Sequence, residues 1–148
     1  MSEPHGKPGA LAGIRVVDFT QVISGPFTSY QLGCMGADVV KVEQPGGGDQ
    51  GRGMLAPTPE VAALGMSALF TAVNGGKRSV TLNLKHAGAS EVVEALVRNA
   101  DVVVENFKAG TLERLGYDEA RLRAWTPNLV LCRISGFGQS GPRSGAPA

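Results

Sequence analysis

The sequence predicts an α/β domain built on a mainly parallel sheet, and three observations predict it. Short β-branched runs at 13–19 (GIRVVDF), 37–43 (ADVVKVE) and 101–106 (DVVVEN) alternate with stretches of helical character. The first two runs and the stretch between them make a βαβ unit of about 30 residues, whose crossover is expected to be right-handed. A chain of 148 residues also fits one domain with a real core.

In chain order, 13–19 reads as a buried strand, rich in Val and Ile. The stretch 25–36 (GPFTSYQLGCMG) reads as a helix, with Pro26 at a first helical position and Phe27, Tyr30, Gln31 and Cys34 one turn apart. The second strand is 37–43. Residues 44–59 hold glycines, prolines and few apolar anchors, and are expected to form an exposed loop. Residues 61–74 suggest helix without a clean apolar face. Val80, Leu82 and Leu84 alternate with Thr81 and Asn83, so 77–85 reads as a half-buried strand. In 88–100, Ala89, Val92, Val93, Leu96 and Val97 share one helical face. After the strand at 101–106 come a short helical turn with Thr111 as its cap and Gly116 as its stop, and a helix capped by Asp118. The last strand is 128–135, and regular periodicity is lost in 136–148.

Composition narrows the function. A formal net charge of +1 with scattered basic residues makes no case for nucleic acid or an anionic membrane. The apolar runs are too short to span a bilayer, and residues 1–10 read as a disordered lead-in without a signal-peptide core. The cytoplasm is therefore the expected location. Cys34 and Cys132 read as buried reduced thiols. The two histidines, His5 and His86, have no metal-ligand partner at useful spacing, so neither a metal site nor a Ser-His-Asp triad is expected.

Ligands of parallel sheets gather beyond the carboxyl ends of the strands. A dinucleotide-binding unit would place a glycine fingerprint in the first strand–helix turn and a ribose-binding acid at the end of the second strand. Glu43 has the acid's place, yet the turn at 20–27 (TQVISGPF) holds a single glycine, Gly25, followed by a proline. The glycines come one strand later, in QPGGGDQGRG, so NAD is not expected. Three further segments stand at strand ends or beside them. Lys77 and Arg78 form a basic pair that either neutralises phosphates or lies in a solvated turn. Asn106, Phe107 and Arg114 offer an amide, a flat apolar face and a charge, or simply a loop. The glycines of 134–142 (ISGFGQSGP) permit close backbone approach. Asp18 and Asp38, within strands, read as strand-edge or turn residues, and Asp49 and Arg52 as groups that fix the glycine loop.

Taken in order, LAGIRVVDFTQVISGP, LGCMGADVVKVEQPGGGDQGR, NGGKRSVTLNLK, DVVVENFKAGTLERLG and NLVLCRISGFGQSGP resemble the class III coenzyme A transferases, from residue 11 to the last. The resemblance implies a Rossmann-like CoA-binding domain over 11–148, the incomplete N-terminal portion of a larger fold. It implies CoA contacts at Ile23, Ser24, Gln44, Leu82, Lys85, Asn106, Phe107 and Arg114. Gln44 stands where formyl-CoA transferase-like members carry an arginine, so that contact lacks a charge. The implied chemistry moves CoA from an acyl-CoA to a carboxylic acid through an aspartyl intermediate. The family's nucleophilic aspartate lies some tens of residues beyond SGFGQSGP, and none of Asp18, Asp38, Asp49, Asp101 or Asp118 matches it. No catalytic residue is therefore assigned, and this chain alone is expected to be inactive. Family members form interlocked homodimers. The alternatives are an α-methylacyl-CoA racemase-like fragment, which would need a histidine absent from GPRSGAPA, and a non-catalytic CoA-binding module.

Overall fold

Five valine-rich segments pair side by side in the computed structural model, which describes residues 9–146. They are β1 (Arg15–Asp18), β2 (Asp38–Glu43), β3 (Arg78–Thr81), β4 (Val102–Glu105) and β5 (Val130–Arg133), all parallel and ordered β3-β2-β1-β4-β5. The helices are α1 (Ser24–Cys34), α2 (Pro59–Ala63), α3 (Ala68–Asn74), α4 (Ala89–Arg98), α5 (Thr111–Arg114) and α6 (Glu119–Trp125), with one 3₁₀ turn at Gln50–Arg52.

Both sheet faces are covered, which is why the strands read as apolar runs. On one face Val17, Phe19, Val42 and Val103 pack with Val93 and Val97 of α4, Leu112 of α5 and Leu122 of α6. On the other, Val16, Val39 and Val104 meet Leu32 of α1. Burial of α4 follows its expected stripe for Ala89, Val93 and Val97, whereas Val92 sits at the margin, 40 % exposed. Asp118 caps α6 as expected, accepting the Arg121 N–H at 2.8 Å.

Four expectations need correction. Helix α1 buries Gly25, Pro26 and Ser29, while Phe27 is 50 % exposed and Cys34 is exposed. Close approach of small residues to the sheet, not an apolar stripe, docks this helix. Cys34 is accordingly not a buried thiol, and Cys132 is only half-buried. The strand expected over 77–85 ends at Thr81. The Leu82 N–H still reaches the Glu43 carbonyl at 2.8 Å, but β2 stops there and leaves no ladder for the rest. The cap of α5 is Gly110, at φ +77°; the Thr111 hydroxyl instead accepts from Arg114 Nη2 at 2.6 Å. Of the expected lead-in, residues 1–8 lie outside the described residues, and Gly9 packs against the Met35 carbonyl. No helix among the described residues is long and apolar enough to cross a membrane.

Candidate functional site

The strand order places the change of winding direction between β1 and β4, so the chain leaves these neighbours toward opposite edges and opens a crevice at their carboxyl ends. A side chain bridges it. The Gln21 N–H donates to Asn106 Oδ1 at 2.8 Å, and Asn106 Nδ2 donates back to the Gln21 carbonyl at 2.9 Å.

Four clefts adjoin along this edge; one lies over the glycine loop at Gly46, Gly47 and Arg52, and the other three follow the strand ends. Of these three, the first, of ≈ 530 Å³, runs past Ile23, Ser24, Asn106, Phe107 and Lys108. The next, of ≈ 200 Å³, has Phe19, Val42, Leu82 and Phe107 as an apolar floor with Gln44 and Lys85 at its rim. The third, of ≈ 340 Å³, lies between Lys85, His86, Arg114 and Arg121. Gln21 and Phe107 are shared by the first two, and Leu84, Lys85 and Leu115 by the last two. All eight residues expected at the ligand therefore line one stepped groove with an apolar middle and basic ends. A wider depression of ≈ 620 Å³ opens near the other ends of the strands, beside Arg15 and Arg78. It holds none of those eight residues, and its Arg78 already pairs with Asp38 at 2.5 Å.

Within the groove the residues are not equivalent. Asn106 spends both ends of its amide on Gln21, so it fixes the crevice rather than offering free donors. Phe107 is held by its backbone N–H on Glu105 Oε2 at 2.8 Å. Glu105 is buried, and Arg133 ties its Oε1 (2.8 Å) to Glu113 (2.6 Å), joining β4, β5 and α5 behind the groove. Sequence reasoning missed Gln21, Lys108 and Arg121. Gln21 lies three residues beyond the end of β1, near where the strand-end rule points, and its Oε1 is buried without a partner among the described residues.

The glycine loop after β2 is pinned from below. Glu43 accepts from Arg52 Nε and Nη2, both at 2.7 Å, from the Asp49 N–H at 2.8 Å and from the Ser79 hydroxyl at 2.6 Å. An acid with four donors has no capacity for a ribose, which removes the dinucleotide role its position suggested. Burial alone would raise its pKa. Hydrogen bonds from Arg52, Ser79 and the Asp49 backbone, with the Arg52 charge, outweigh burial and lower it to about 2. This contribution to stability is full above the ordinary carboxylate value and is lost as pH falls through about 2. Acid unfolding of Glu43→Gln should therefore lack a component on the order of 3 kcal/mol that the native chain loses between about pH 4.5 and pH 2. Identical acid-unfolding curves would remove that role. The expectation of an exposed loop over 44–59 thus holds for Gln44 to Gly47 and for most of Gly53 to Pro59, but not for buried Asp49 and Gly51.

Behind α1 lies a buried charge cluster. Asp18 Oδ1 accepts from the Thr20 N–H at 2.8 Å and from the Thr20 hydroxyl, and Oδ2 from the Ser29 hydroxyl at 2.6 Å and Lys77 Nζ at 2.9 Å. Lys77 also donates to the Pro26 carbonyl and Asn74 Oδ1, both at 2.9 Å. Lys41 Nζ lies 2.8 Å from Asp49 Oδ2 and donates to the Thr20 carbonyl at 2.6 Å. Asp18 is therefore no strand-edge residue; it is the centre of a cluster joining β1, α1, β2 and α3. Lys77 is neither a phosphate ligand nor a solvated turn. Burial lowers its pKa, opposed by the charge of Asp18. Asp38, paired with Arg78 on the surface, keeps the edge role expected of it. Among the described residues no group of His, Cys, Asp or Glu is arranged to hold a metal.

Comparison with known proteins shows the family of the chain. The profile of CoA-transferase family III matches residues 11–148. A formyl-CoA:oxalate CoA-transferase of Rhodopseudomonas palustris is 46% identical over 129 residues, 87% of this chain and 29% of its own. A succinate–glutarate CoA-transferase of Agrobacterium fabrum is 46% identical over 141 residues, 94% of this chain and 35% of its own. A crystal structure of a CAIB/BAIF family protein from Brucella suis superposes with a TM-score of 0.84 at 37% identity, covering 95% of this chain and 37% of that one. The chain thus spans about a third of the length of these relatives. With a doubly wound sheet and a match to the profile over residues 11–148, the chain belongs to CoA-transferase family III.

Proposed function

We propose that this chain is the CoA-binding N-terminal part of an enzyme that moves CoA from an acyl-CoA to a carboxylic acid. The stepped groove carries the reading. Its apolar middle suits the adenine ring and pantetheine arm, with Phe107 as a flat face, and Lys85, Arg114, Arg121 and Lys108 supply positive charge for phosphates. Ile23, Ser24, Gln44 and Leu82 line the path between these ends. The transferase activity is supported by the relatives' names; nothing in the groove favours racemase chemistry.

No residue of the chain takes the nucleophile's role in this reading. Asp18 and Asp49 are buried in the charge cluster, Asp38 pairs with Arg78, Asp101 accepts the Arg15 N–H at 2.9 Å, and Asp118 caps α6. The aspartyl intermediate forms on a carboxylate supplied from outside residues 1–148. The whole enzyme works in the cytoplasm as a homodimer; exposed Phe27, Leu55, Leu64 and Met66 give it apolar surface to cover.

Calorimetric titration of the chain with CoA and with NAD tests the ligand. CoA should bind and NAD should not; tighter binding of NAD would overturn the proposal. Lys85→Ala and Arg114→Ala should each weaken CoA by about tenfold, as loss of a charge-assisted hydrogen bond does. Unchanged affinity in both would remove these two residues from the site.

A further inference from the structure

Val22 adopts φ +71°, a left-handed conformation that a β-branched residue avoids. It lies between the bridge at Gln21 and the cleft residues Ile23 and Ser24, and the backbone polar groups of three consecutive residues, Thr20, Gln21 and Val22, are held by side chains from three other parts of the fold. Lys41 of β2 donates to the Thr20 carbonyl at 2.6 Å. Asn106, after β4, takes both polar groups of Gln21. Asp49, from the glycine loop, accepts the Val22 N–H at 2.9 Å and the Gly51 N–H at 2.7 Å on the same oxygen. Its second oxygen faces only Lys41 Nζ, in an ion pair without hydrogen-bond alignment. Lys41 and Asp49 are both 1 % exposed, so water neither weakens the pair nor substitutes for it.

Beyond the third clamp the side-chain restraints give way to helix α1, where the Ile23 carbonyl accepts the Phe27 N–H at 2.8 Å. Ile23 is 49 % exposed, and it lines the ≈ 530 Å³ cleft with Ser24. A strained residue persists only where its surroundings over-determine it, and such residues concentrate where direction matters to a ligand.

We infer that Asp49 is a positioning residue: paired with Lys41, it holds Val22 left-handed so that Ile23 and Ser24 face the CoA groove. The inference rests on the CoA reading above and extends it to a group that does not touch the ligand. Without Asp49, valine's own preference returns the backbone to negative φ and turns Ile23 and Ser24 away. Glycine has no such preference, so it needs no clamp.

The test uses calorimetric CoA titration of the unmutated chain, Asp49→Ala, and Asp49→Ala combined with Val22→Gly. Asp49→Ala should bind CoA about tenfold more weakly or worse. The double variant should recover most of that loss. A residue that merely stabilised the fold would gain nothing from glycine at position 22, so a double variant as weak as Asp49→Ala overturns the inference. Equal affinity of Asp49→Ala and the unmutated chain overturns it too, while leaving the CoA reading intact. Failure of the unmutated chain to bind CoA removes both. Should Asp49→Ala not fold, amide hydrogen exchange on the unmutated chain decides. The Val22 amide should exchange as slowly as that of Val103 in the central sheet; exchange at the rate of an exposed loop amide would refute the clamp.

Discussion

Asp18→Ala is expected to destabilise the chain by about 3–5 kcal/mol, a large share of the stability of a domain this size. The carboxylate is wholly buried and accepts from two hydroxyls, one backbone N–H and Lys77. Its removal leaves the Lys77 ammonium with only the neutral acceptors of Pro26, Ser29 and Asn74, in a place where burial already disfavours its charge. Lys41, 4.0 Å away, also loses a neighbouring negative charge and keeps only Asp49. Asp18→Asn preserves shape but aims its amide NH2 either at Lys77 and Ser29 or at the Thr20 N–H, and should cost nearly as much. Urea unfolding measures both variants. A loss below about 1 kcal/mol would mean that the pair is as weak as a surface salt bridge, and the cluster would not hold the fold.

Gly25→Ala should lower stability by about 1–3 kcal/mol, or roughly 4–12 °C in Tm. A Cβ at position 25 would overlap both Cβ and Cγ2 of Thr20. Thr20 cannot yield, because its hydroxyl and N–H are on Asp18 and its carbonyl is on Lys41. Helix α1 would have to move away from β1, and the turn at Val22 would move with it. Gly33→Ala, in the same helix, is the control. Its Cβ would meet only Val39 Cγ2 at 3.6 Å, an ordinary contact, and the better helix former should stabilise by up to about 1 kcal/mol. Equal melting temperatures for the two variants would refute the close approach of α1 at Gly25.

The contrast between these glycines shows what was legible in the chain. The central strands were, because β1, β2 and β4 are β-branched runs covered on both faces, whereas the edge strand β3 is largely exposed; the sheet class followed from their alternation with helices. The docking face of α1 was not. Periodicity finds apolar stripes, and this helix packs by the smallness of Gly25 and by the polar anchor of Ser29 on Asp18. The groove at the carboxyl edge was legible from the strand ends, and the eight residues named from the sequence line that groove. Their division of labour was not, since it depends on pairs that no local pattern joins: Gln21 with Asn106 and Asp18 with Lys77, far apart in sequence, and Lys41 with Asp49 across the glycine loop. An aspartate in VVDF and a lysine in VVKVE each interrupt an apolar run, which marks them as unusual without naming their partners. Thr111 misled for a simpler reason. A threonine before a helical turn looks like a cap, but Gly110 had already turned the chain.

The glycine loop after β2 divides into two halves with opposite tolerance. At Gly48 a side chain would run into Glu43 and Arg52, so this glycine is there for room. At Gly46 and Gly47 nothing lies within 4 Å of an added Cβ, and Gly46 alone is committed to positive φ, +85°. Gly47 is thus an address on the molecule. A cysteine there could carry a fluorophore beside Gln44, on the lip of the groove, while the ion pair that anchors the loop remained undisturbed two positions further on.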